Sequence, residues 1–289
     1  MLDLAGGYDA LRHSVAAIRL SRDALRVAGP DAEAYLQGQL SQDIAAIAPG
    51  ASAWSLILQP QGKVDALVRV SRTRADEFVI DVDGGYGTAV ASRLRRFKLR
   101  VKAEIEELGW QCVALRGPQT DVPEAEDLVA DATWPGLVGF DLLGPAPTIP
   151  SGLPEAPIEA WEVARIEAGV PRLGAELTER TIPAEAGIVD RTVSFTKGCY
   201  TGQELVARID SRGGHVPRRL LGLSSDRRPE PGEAILLAGR DVGLVTSAAS
   251  HPAGHAVALA YVRRDVEAPA EAELAGGGMV RIQVLPLVS

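Results

Sequence analysis

Cys199 lies in the part of the sequence that is richest in groups capable of chemistry, the segment Lys-Gly-Cys-Tyr-Thr-Gly-Gln-Glu at 197–204. Thr201 and Glu204 have the spacing of a capping box, which predicts that a helix starts at Thr201. The partial positive charge of a helix N-terminus and the ammonium group of Lys197 should both favour a thiolate at Cys199. The pattern therefore predicts a reactive or metal-handling thiol, while a small residue buried in a tight turn fits the spacing equally well.

A carboxylate, Glu167, is predicted to face inward from a helix at residues 158–168, which Gly169 would end as a left-handed cap. Ala160, Val163 and Glu167 lie on one face of that helix. A carboxylate that continues a small apolar face can accept hydrogen bonds from a heterocycle in a pocket. Pairing with a nearby arginine fits the same spacing, so both roles stay open.

Two stretches of the chain are basic, although the whole sequence has a net charge of −8. Residues 197–219 hold five basic and two acidic side chains, a balance that suits a carboxylate or phosphate ligand unless the stretch is a solvated loop. Residues 93–102 hold six basic side chains at the end of a predicted helix, where they complement the helix dipole. RNA binding is disfavoured because aromatic residues make up only 4% of the chain.

The histidines give weaker signals. His215 is a candidate base for a nucleophilic pair with Cys199, although the sequence does not show that the two meet. His251 and His255 have a metal-like spacing but no paired cysteines nearby. No metal site is therefore predicted.

The elements that position these residues belong to a chain of average globular composition. Its 289 residues predict two or three domains, and 46% hydrophobic with 24% charged residues are enough for a packed core. The negative net charge disfavours nucleic acid and anionic membrane as partners. Two cysteines, no apolar run of about 18 residues and no signal peptide together predict a cytoplasmic protein.

The order of predicted strands and helices up to residue 217 indicates an α+β fold. Five prolines between residues 144 and 157 predict a loop before the helix at 158–168, and residues 187–195 are predicted to be extended. Beyond residue 217 short strands alternate with Gly and Pro turns, which predicts a small barrel or sandwich.

The segment 197–204 closely resembles the signature of the YgfZ branch of the folate-binding YgfZ/GcvT family. The resemblance extends over nearly the whole chain. Further similar segments lie at 35–43, 58–64, 96–101, 115–118, 165–169, 183–187, 243–248 and 258–264.

The resemblance implies a three-domain ring around a tetrahydrofolate site, with two interleaved α+β domains and a small C-terminal β-barrel. The corresponding ranges are 1–105, 106–217 and 218–289. By the same resemblance Glu167 recognises the pterin and Lys197 contacts the folate. It further implies that Arg208 and Arg219 bind the glutamate tail and that Cys199 is the functional thiol.

Position 66 distinguishes the branches of the family. The aminomethyltransferases carry two successive aspartates after the strand turn, and the second is essential for transfer, whereas this chain has Asp65 and Ala66. The resemblance therefore implies an accessory protein for assembly or repair of iron–sulfur clusters, outside classical catalysis. Its expected partners are folate and iron–sulfur client proteins such as tRNA-thiolating radical-SAM enzymes, with no stable contact to nucleic acid or membrane.

Three alternatives stay open at this point. One is a folate-dependent aminomethyl or one-carbon transferase of altered specificity. Another is a cysteine hydrolase or transferase that uses Cys199 and His215. The last is a protein-binding scaffold with a vestigial pocket.

Overall fold

The computed structural model of the protein describes residues 1–287. In this part of the chain the helices are α1 (Leu4–His13), α2 (Ala32–Gln39), α3 (Gly87–Arg96), α4 (Ile158–Ala168), α5 (Val189–Thr192) and α6 (Gln203–Asp210). The strands are β1 (Ala16–Leu20), β2 (Arg22–Ala28), β3 (Ser52–Leu58), β4 (Val64–Arg74), β5 (Glu77–Asp83), β6 (Glu104–Leu108), β7 (Gln111–Arg116), β8 (Leu128–Asp131), β9 (Gly139–Gly144), β10 (Arg218–Ser225), β11 (Ala234–Leu237), β12 (Arg240–Ser250), β13 (Ala256–Arg263), β14 (Ala270–Leu274) and β15 (Met279–Gln283). None of the described helices combines the length and the hydropathy that crossing a bilayer requires.

Strands β3, β4, β5, β2 and β6 form, in that order, an antiparallel five-stranded sheet. Their Val, Ile and Leu residues favour the pleated, half-buried positions of a sheet. Helix α3 packs on this sheet with Val90, Ala91 and Leu94 buried. Burial is nearly continuous along the first two thirds of β4, so both faces of the sheet are covered there.

The second sheet has four strands in the order β1-β7-β9-β8. Its first strand comes from the N-terminal region, since β1 pairs with β7 while the next strand, β2, pairs with β6 in the other sheet. The two sheets are therefore interleaved along the chain. The predicted division at 1–105, 106–217 and 218–289 stays a prediction, and β6 lies across its first boundary.

The C-terminal strands close into a barrel in the order β10-β13-β12-β11-β14-β15, with β15 paired back onto β10. Closure removes the exposed sheet edges on which strands of other chains could pair. The barrel has its own apolar core, which includes Leu223, Ile235, Val262 and Ile282. The predicted α+β class and C-terminal barrel are confirmed, and β10 starts at Arg218, directly after residue 217.

Helix α4 connects the sheets to the barrel, and its bounds are those predicted for 158–168. Gly169 ends it as a left-handed cap with φ 70°. A Cβ at Gly169 would also come within 2.8 Å of the Leu285 side chain, so this close approach requires glycine. Because α4 packs against α1 and against β12 and β13 of the barrel, it is buried on nearly every side.

The prediction that residues 187–195 are extended is wrong, because α5 occupies the middle of this stretch. The Thr192 hydroxyl donates a hydrogen bond to the Ile188 carbonyl at 2.7 Å. Such side-chain bonds to the preceding turn give the backbone local partners and compete with pairing in a sheet. The middle of the stretch, Val189–Thr192, is therefore helical although its β-branched residues favour a strand.

The predicted capping box at Thr201 is also wrong, since α6 begins at Gln203 with Gly202 as its N-cap. Gly202 has φ 82°, a left-handed conformation in which glycine is least strained. A Cβ at this position would lie 2.5 Å from the carbonyl oxygen of Gln59 in the turn after β3. Packing against this turn therefore leaves no room for a side chain at the N-cap position of α6, which requires glycine.

A network of buried ion pairs joins the two sheets. Arg69 on β4 is fully buried, donates to Asp81 on β5 at 2.9 Å and lies 2.7 Å from the Asp141 carboxylate on β9. At the two ends of the network Arg22 on β2 pairs with Asp81, and Arg116 on β7 pairs with Asp141 at 2.6 Å. Every buried charge thus faces an opposite charge, which offsets the loss of hydration.

We expect Arg69→Ala to lower the free energy of unfolding by about 3–5 kcal/mol, because the buried carboxylates of Asp81 and Asp141 lose their shared partner. Urea denaturation at pH 7 measures this loss. Arg74→Ala is the matched control, since the Arg74 side chain is 77% exposed. A loss no larger than that of the control would contradict the role assigned to the network.

The stability of the wild type and of Arg69→Ala can also be compared at acid pH, where Asp141 gains a proton. Burial raises the pKa of Asp141, but the Arg116 and Arg69 guanidiniums outweigh this effect and hold the pKa at about 2. The unfolded chain therefore binds this proton more readily than the folded protein. We expect this contribution to stability to be complete above about pH 4 and to be lost as the pH falls towards 2, with a smaller acid loss in Arg69→Ala.

Candidate ligand site

A cavity of about 440 Å³ lies between the two sheets and α4. The five-stranded sheet contributes Trp54 and Leu67 to its wall, the four-stranded sheet Arg116 and Asp141, and α4 Trp161. Cavities of roughly 300–1,000 Å³ accommodate drug-sized molecules. This cavity is therefore large enough for a small organic ligand, whereas a cavity beside α5 and α6 measures only about 180 Å³.

Indole rings form much of the cavity wall. Trp54, Trp134 and Trp161 line it, and the sequence holds only four tryptophans. The rings of Trp54 and Trp134 meet edge to face with centroids 5.7 Å apart, and the Arg116 guanidinium lies 5.2 Å from the Trp161 ring. Flat aromatic walls of this kind favour a flat heteroaromatic ligand.

Three buried donors of cavity-lining residues have no hydrogen-bond partner within residues 1–287. They are Nη2 of Arg22, the indole Nε1 of Trp54 and Nε of Arg116. A buried polar group without a partner costs roughly 1–3 kcal/mol, so native proteins pair nearly all of them. Three residues that line one cavity thus each carry a buried side-chain N–H that is unpaired in the part of the chain that the structure describes.

Cys199 lies on the surface and does not line this cavity. Tyr200 and Thr201 separate it from the N-cap of α6. The Thr201 N–H donates to the carbonyl of Gly38, in the last turn of α2, at 3.3 Å. The segment thus presents the thiol to solvent beside the C-terminal end of α2.

Lys197 holds this segment on α2. Its Nζ donates to the carbonyls of Gln37, Leu40 and Gln42 at 2.7, 2.7 and 2.8 Å. The Gln37 carbonyl lies in the last turn of α2, which has no partners within the helix, and the Leu40 and Gln42 carbonyls lie in the segment that follows. Burial lowers the pKa of Lys197 to about 8. All three ammonium hydrogens are engaged, so in this arrangement Lys197 positions the thiol segment, and its contact with folate stays a prediction.

Glu167 faces α1 and the barrel, and it does not line the cavity. Both carboxylate oxygens accept a hydrogen bond from the Tyr8 hydroxyl, at 3.0 and 2.9 Å, and Nε2 of His251 lies 3.4 Å from Oε1. Burial raises the pKa of Glu167. His251 in turn stacks on His255 with ring centroids 4.2 Å apart. Glu167 therefore connects α4 to α1 and the barrel, and its contact with a pterin stays a prediction.

The other predicted residues lie apart from one another. Arg208 is exposed on α6, and Arg219 on β10 donates to the Val266 carbonyl at 3.3 Å beside a separate cavity of about 320 Å³. His215 is exposed, and within residues 1–287 no hydrogen bond joins it to Cys199. In the same described range no three His, Cys, Asp or Glu side chains are placed to hold a metal ion. The roles predicted for Arg208 and Arg219 stay predictions.

Ala66 is buried on β4 and borders a further cavity of about 280 Å³. Tyr86 borders both this cavity and the larger one, so the two are adjacent. Asp65 is the one carboxylate among the residues that border the smaller cavity, and it lies 3.3 Å from Arg93. Ala66, at the position for which the resemblance implies a second aspartate in the aminomethyltransferases, thus offers only a methyl group.

Sequence reasoning missed the residues that line the main cavity. Trp54 and Trp161 occur within apolar stretches that predict a strand and a helix, and Arg22 and Arg116 are isolated basic residues. The signal that could have indicated the cavity was the rarity of tryptophan. Aromatic residues are few in this chain, yet Trp54, Trp134 and Trp161 occur in segments that are otherwise aliphatic or loop-like.

Comparison with known proteins identifies a family that matches the barrel and relatives that match most of the chain. Residues 218–288 match the family described as the glycine cleavage T-protein C-terminal barrel domain. The chain is 28% identical to the tRNA-modifying protein YgfZ of Enterobacter sp. (strain 638), and the match covers 84% of this chain and 83% of that protein.

Two further relatives extend this comparison. The chain is 31% identical to a mitochondrial iron–sulfur cluster assembly factor IBA57 homolog of Pyricularia oryzae over 70% of its own length, and it spans about half of that protein, 55%. The crystal structure of the glycine cleavage system aminomethyltransferase T from Bartonella henselae matches 99% of this chain and 89% of its own with a TM-score of 0.81. At 20% sequence identity this last match is a likeness of fold.

We expect Lys197→Met to release the segment that carries Cys199, because methionine leaves three carbonyls, in the last turn of α2 and just after it, without their donor. Hydrogen–deuterium exchange measured by mass spectrometry should then be faster in residues 198–202, including the Thr201 N–H. Lys98→Met changes a lysine outside this contact and serves as the control. Unchanged protection of residues 198–202 would mean that Lys197 does not hold the segment.

Proposed function

The chain belongs to the YgfZ/GcvT-like family, and on this basis we propose that it binds tetrahydrofolate or a one-carbon derivative and acts as an accessory factor for iron–sulfur proteins. The observation that carries the folate proposal is the cavity with three tryptophan walls and three unpaired donors. The iron–sulfur proposal is supported by the exposed Cys199 in its signature segment and by relatives named for tRNA modification and iron–sulfur cluster assembly.

The side chains of the cavity suit a pterin. Trp54, Trp134 and Trp161 offer flat faces and edges to a bicyclic ring. Arg22 and Arg116 line the cavity, and guanidinium groups can donate hydrogen bonds to the oxygen and nitrogen acceptors of a pterin. When bound, a reduced folate supplies a carrier for one-carbon units, while the protein's own residues bind and orient it and shield it from water.

The functional thiol and the folate cavity are two separate sites of the protein in this proposal. Cys199 is the functional thiol on the surface, and Lys197 fixes the segment that presents it. Arg208 and Arg219 lie outside the cavity, so their proposed contacts are limited to the part of the glutamate tail that leaves it. The proposed clients are iron–sulfur proteins such as tRNA-thiolating radical-SAM enzymes, and the proposed compartment is the cytoplasm.

A folate-dependent aminomethyl or one-carbon transferase is the second candidate, because a solved aminomethyltransferase shares the fold. Ala66 argues against it, since an alanine side chain cannot orient a folate nitrogen or accept a proton from it. Asp65, the neighbouring carboxylate, is held by Arg93. Turnover of methylene-tetrahydrofolate with an amine acceptor would favour this candidate over the accessory factor.

We expect isothermal titration calorimetry to show one tetrahydrofolate bound per chain, with affinity at least about fivefold lower in Trp161→Leu. Loss of one aromatic stacking partner costs about 1–3 kcal/mol, which corresponds to this range. Trp110→Leu is the matched control, because Trp110 is a tryptophan that does not line the cavity. Absence of binding by the folded wild type would overturn the folate proposal.

Titration of Glu167→Ala with tetrahydrofolate distinguishes a pterin in the tryptophan-lined cavity from a pterin bound by Glu167. The family resemblance predicts loss of binding, whereas the structure directs both oxygens of Glu167 to Tyr8 and His251. We expect the variant to retain tetrahydrofolate binding and to have a lower thermal midpoint. Loss of binding in a variant with an unchanged midpoint would assign the pterin to Glu167.

We expect Cys199→Ser to retain tetrahydrofolate binding, because the thiol lies outside the cavity. We expect the same variant to fail in cells, because the proposal makes Cys199 the functional thiol. The measurement is the activity of iron–sulfur enzymes in a strain that lacks the native gene and carries each variant. Cys112→Ala is the control, since Cys112 is buried on β7. Full rescue by Cys199→Ser would remove the thiol from the proposed function.

A further inference from the structure

A basic surface follows helix α3, and the proposed function leaves it without a role. Residues 93–102 contain six basic side chains and no acidic one, in a chain whose net charge is −8. Arg93 and Arg95 are each paired with one carboxylate. In the part of the chain that the structure describes, no ion pair involves the four side chains that form the basic surface, Arg96, Lys98, Arg100 and Lys102. Only Arg96 among them lies in the last turn of α3, so the helix dipole does not account for the other three.

Two large apolar side chains lie among these charges. Leu99 is 80% exposed and Phe97 is 41% exposed. The Arg93 guanidinium lies 3.9 Å from the centre of the Phe97 ring, and hydrogen bonds to Gln39 and to the Leu58 carbonyl hold that guanidinium in place. Phe97 is therefore fixed although it is exposed. Exposed apolar side chains with a charged rim are typical of surfaces that bind other proteins.

The basic surface is joined to the thiol segment through the end of α2. Nη1 of Arg93 donates to Oε1 of Gln39 at 3.2 Å. The preceding residue, Gly38, accepts at its carbonyl from the Thr201 N–H at 3.3 Å, two residues after Cys199. The two segments thus contact consecutive residues of α2. A standard protein interface covers about 800 Å² of each partner, so one partner can cover neighbouring segments of this kind together.

The chemistry of the basic surface fits an acidic protein better than it fits RNA. Proteins that bind single-stranded RNA stack its bases on aromatic rings, and Phe97 is the one aromatic residue between positions 93 and 102. The Arg93 guanidinium already lies over this ring. Leu99 offers no ring for stacking, but its exposed methyl groups suit an apolar side chain of another protein.

We propose that the basic surface, with Leu99 between its charges, docks an acidic protein and holds it beside Cys199. The inference rests on the proposed accessory function and specifies the partner: the iron–sulfur client presents Asp and Glu side chains around an apolar contact. Opposite charges raise the rate at which the two proteins meet and disfavour partners of the wrong charge. The exposed Leu99 supplies the apolar contact on this side.

The first test places the photo-crosslinking amino acid p-benzoylphenylalanine at position 99 of the full chain, in a strain that lacks the native gene. We expect illumination of the cells to link this position to iron–sulfur proteins. Mass spectrometry of the linked peptides should place the link in segments rich in Asp and Glu. The same amino acid at position 122 is the control, because Val122 is also exposed and apolar but has Asp121 and Glu124 beside it.

The second test reverses two charges of the basic surface. Arg96→Glu combined with Arg100→Glu should lower the yield of the link from position 99 by at least about fivefold, because like charges then face each other. The same pair should fail to restore iron–sulfur enzyme activity but keep tetrahydrofolate binding, since neither side chain lines the main cavity. Arg228→Glu combined with Arg264→Glu reverses two exposed arginines in the C-terminal part of the chain and should leave all three measurements unchanged.

The outcomes separate this inference from the function on which it rests. Links from position 99 to RNA, to a second copy of this chain, or no more links than from position 122 would overturn the docking surface. Full enzyme activity with Arg96→Glu and Arg100→Glu together would overturn it as well. Links to acidic segments of proteins that hold no iron–sulfur cluster would support the docking surface and overturn the iron–sulfur part of the proposed function.

Discussion

The buried guanidinium of Arg69 is the contact on which the arrangement of the two sheets depends. It joins β4 and β5 of one sheet to β9 of the other through Asp81 and Asp141, in a place where water cannot replace a lost partner. The same guanidinium lies 5.2 Å from the Trp54 ring. One side chain therefore fixes both the spacing of the sheets and the position of an indole in the cavity wall.

Arg22, Arg116 and Asp141 belong both to this network and to the lining of the cavity. Arg22 and Arg116 direct some of their N–H groups to Asp81 and Asp141, and each keeps one nitrogen without a partner. The ion pairs keep these side chains rigid, so the remaining donors are held in place before any ligand arrives. Preorganised donors of this kind cost little to use in binding because their conformational entropy is already lost.

Local signals in the sequence predict some elements well and others poorly, for identifiable reasons. Helix α4 could be predicted because apolar spacing and Gly169 mark it within its own segment, and the barrel because turns separate its strands. The start of α6 could not, since Gly202 takes its conformation from a turn distant in sequence. The three carbonyls bound by Lys197 lie in α2 and in the segment after it, far away in sequence, and the cavity forms only where separate segments meet.

The interleaving of β1, β2, β6 and β7 between two sheets has a consequence for synthesis on the ribosome. β1 emerges from the ribosome well before its partner β7. Tyr8 of α1 likewise emerges long before Glu167, the acceptor of its hydroxyl hydrogen bond, which lies 159 residues further along the chain. Contacts this distant in sequence form slowly because a long loop has to close first. The barrel strands, by contrast, all lie within one late and continuous stretch. The nascent chain therefore holds β1 without its partner until β7, which ends at Arg116, has emerged, and this is the period in which chaperones would protect it from aggregation.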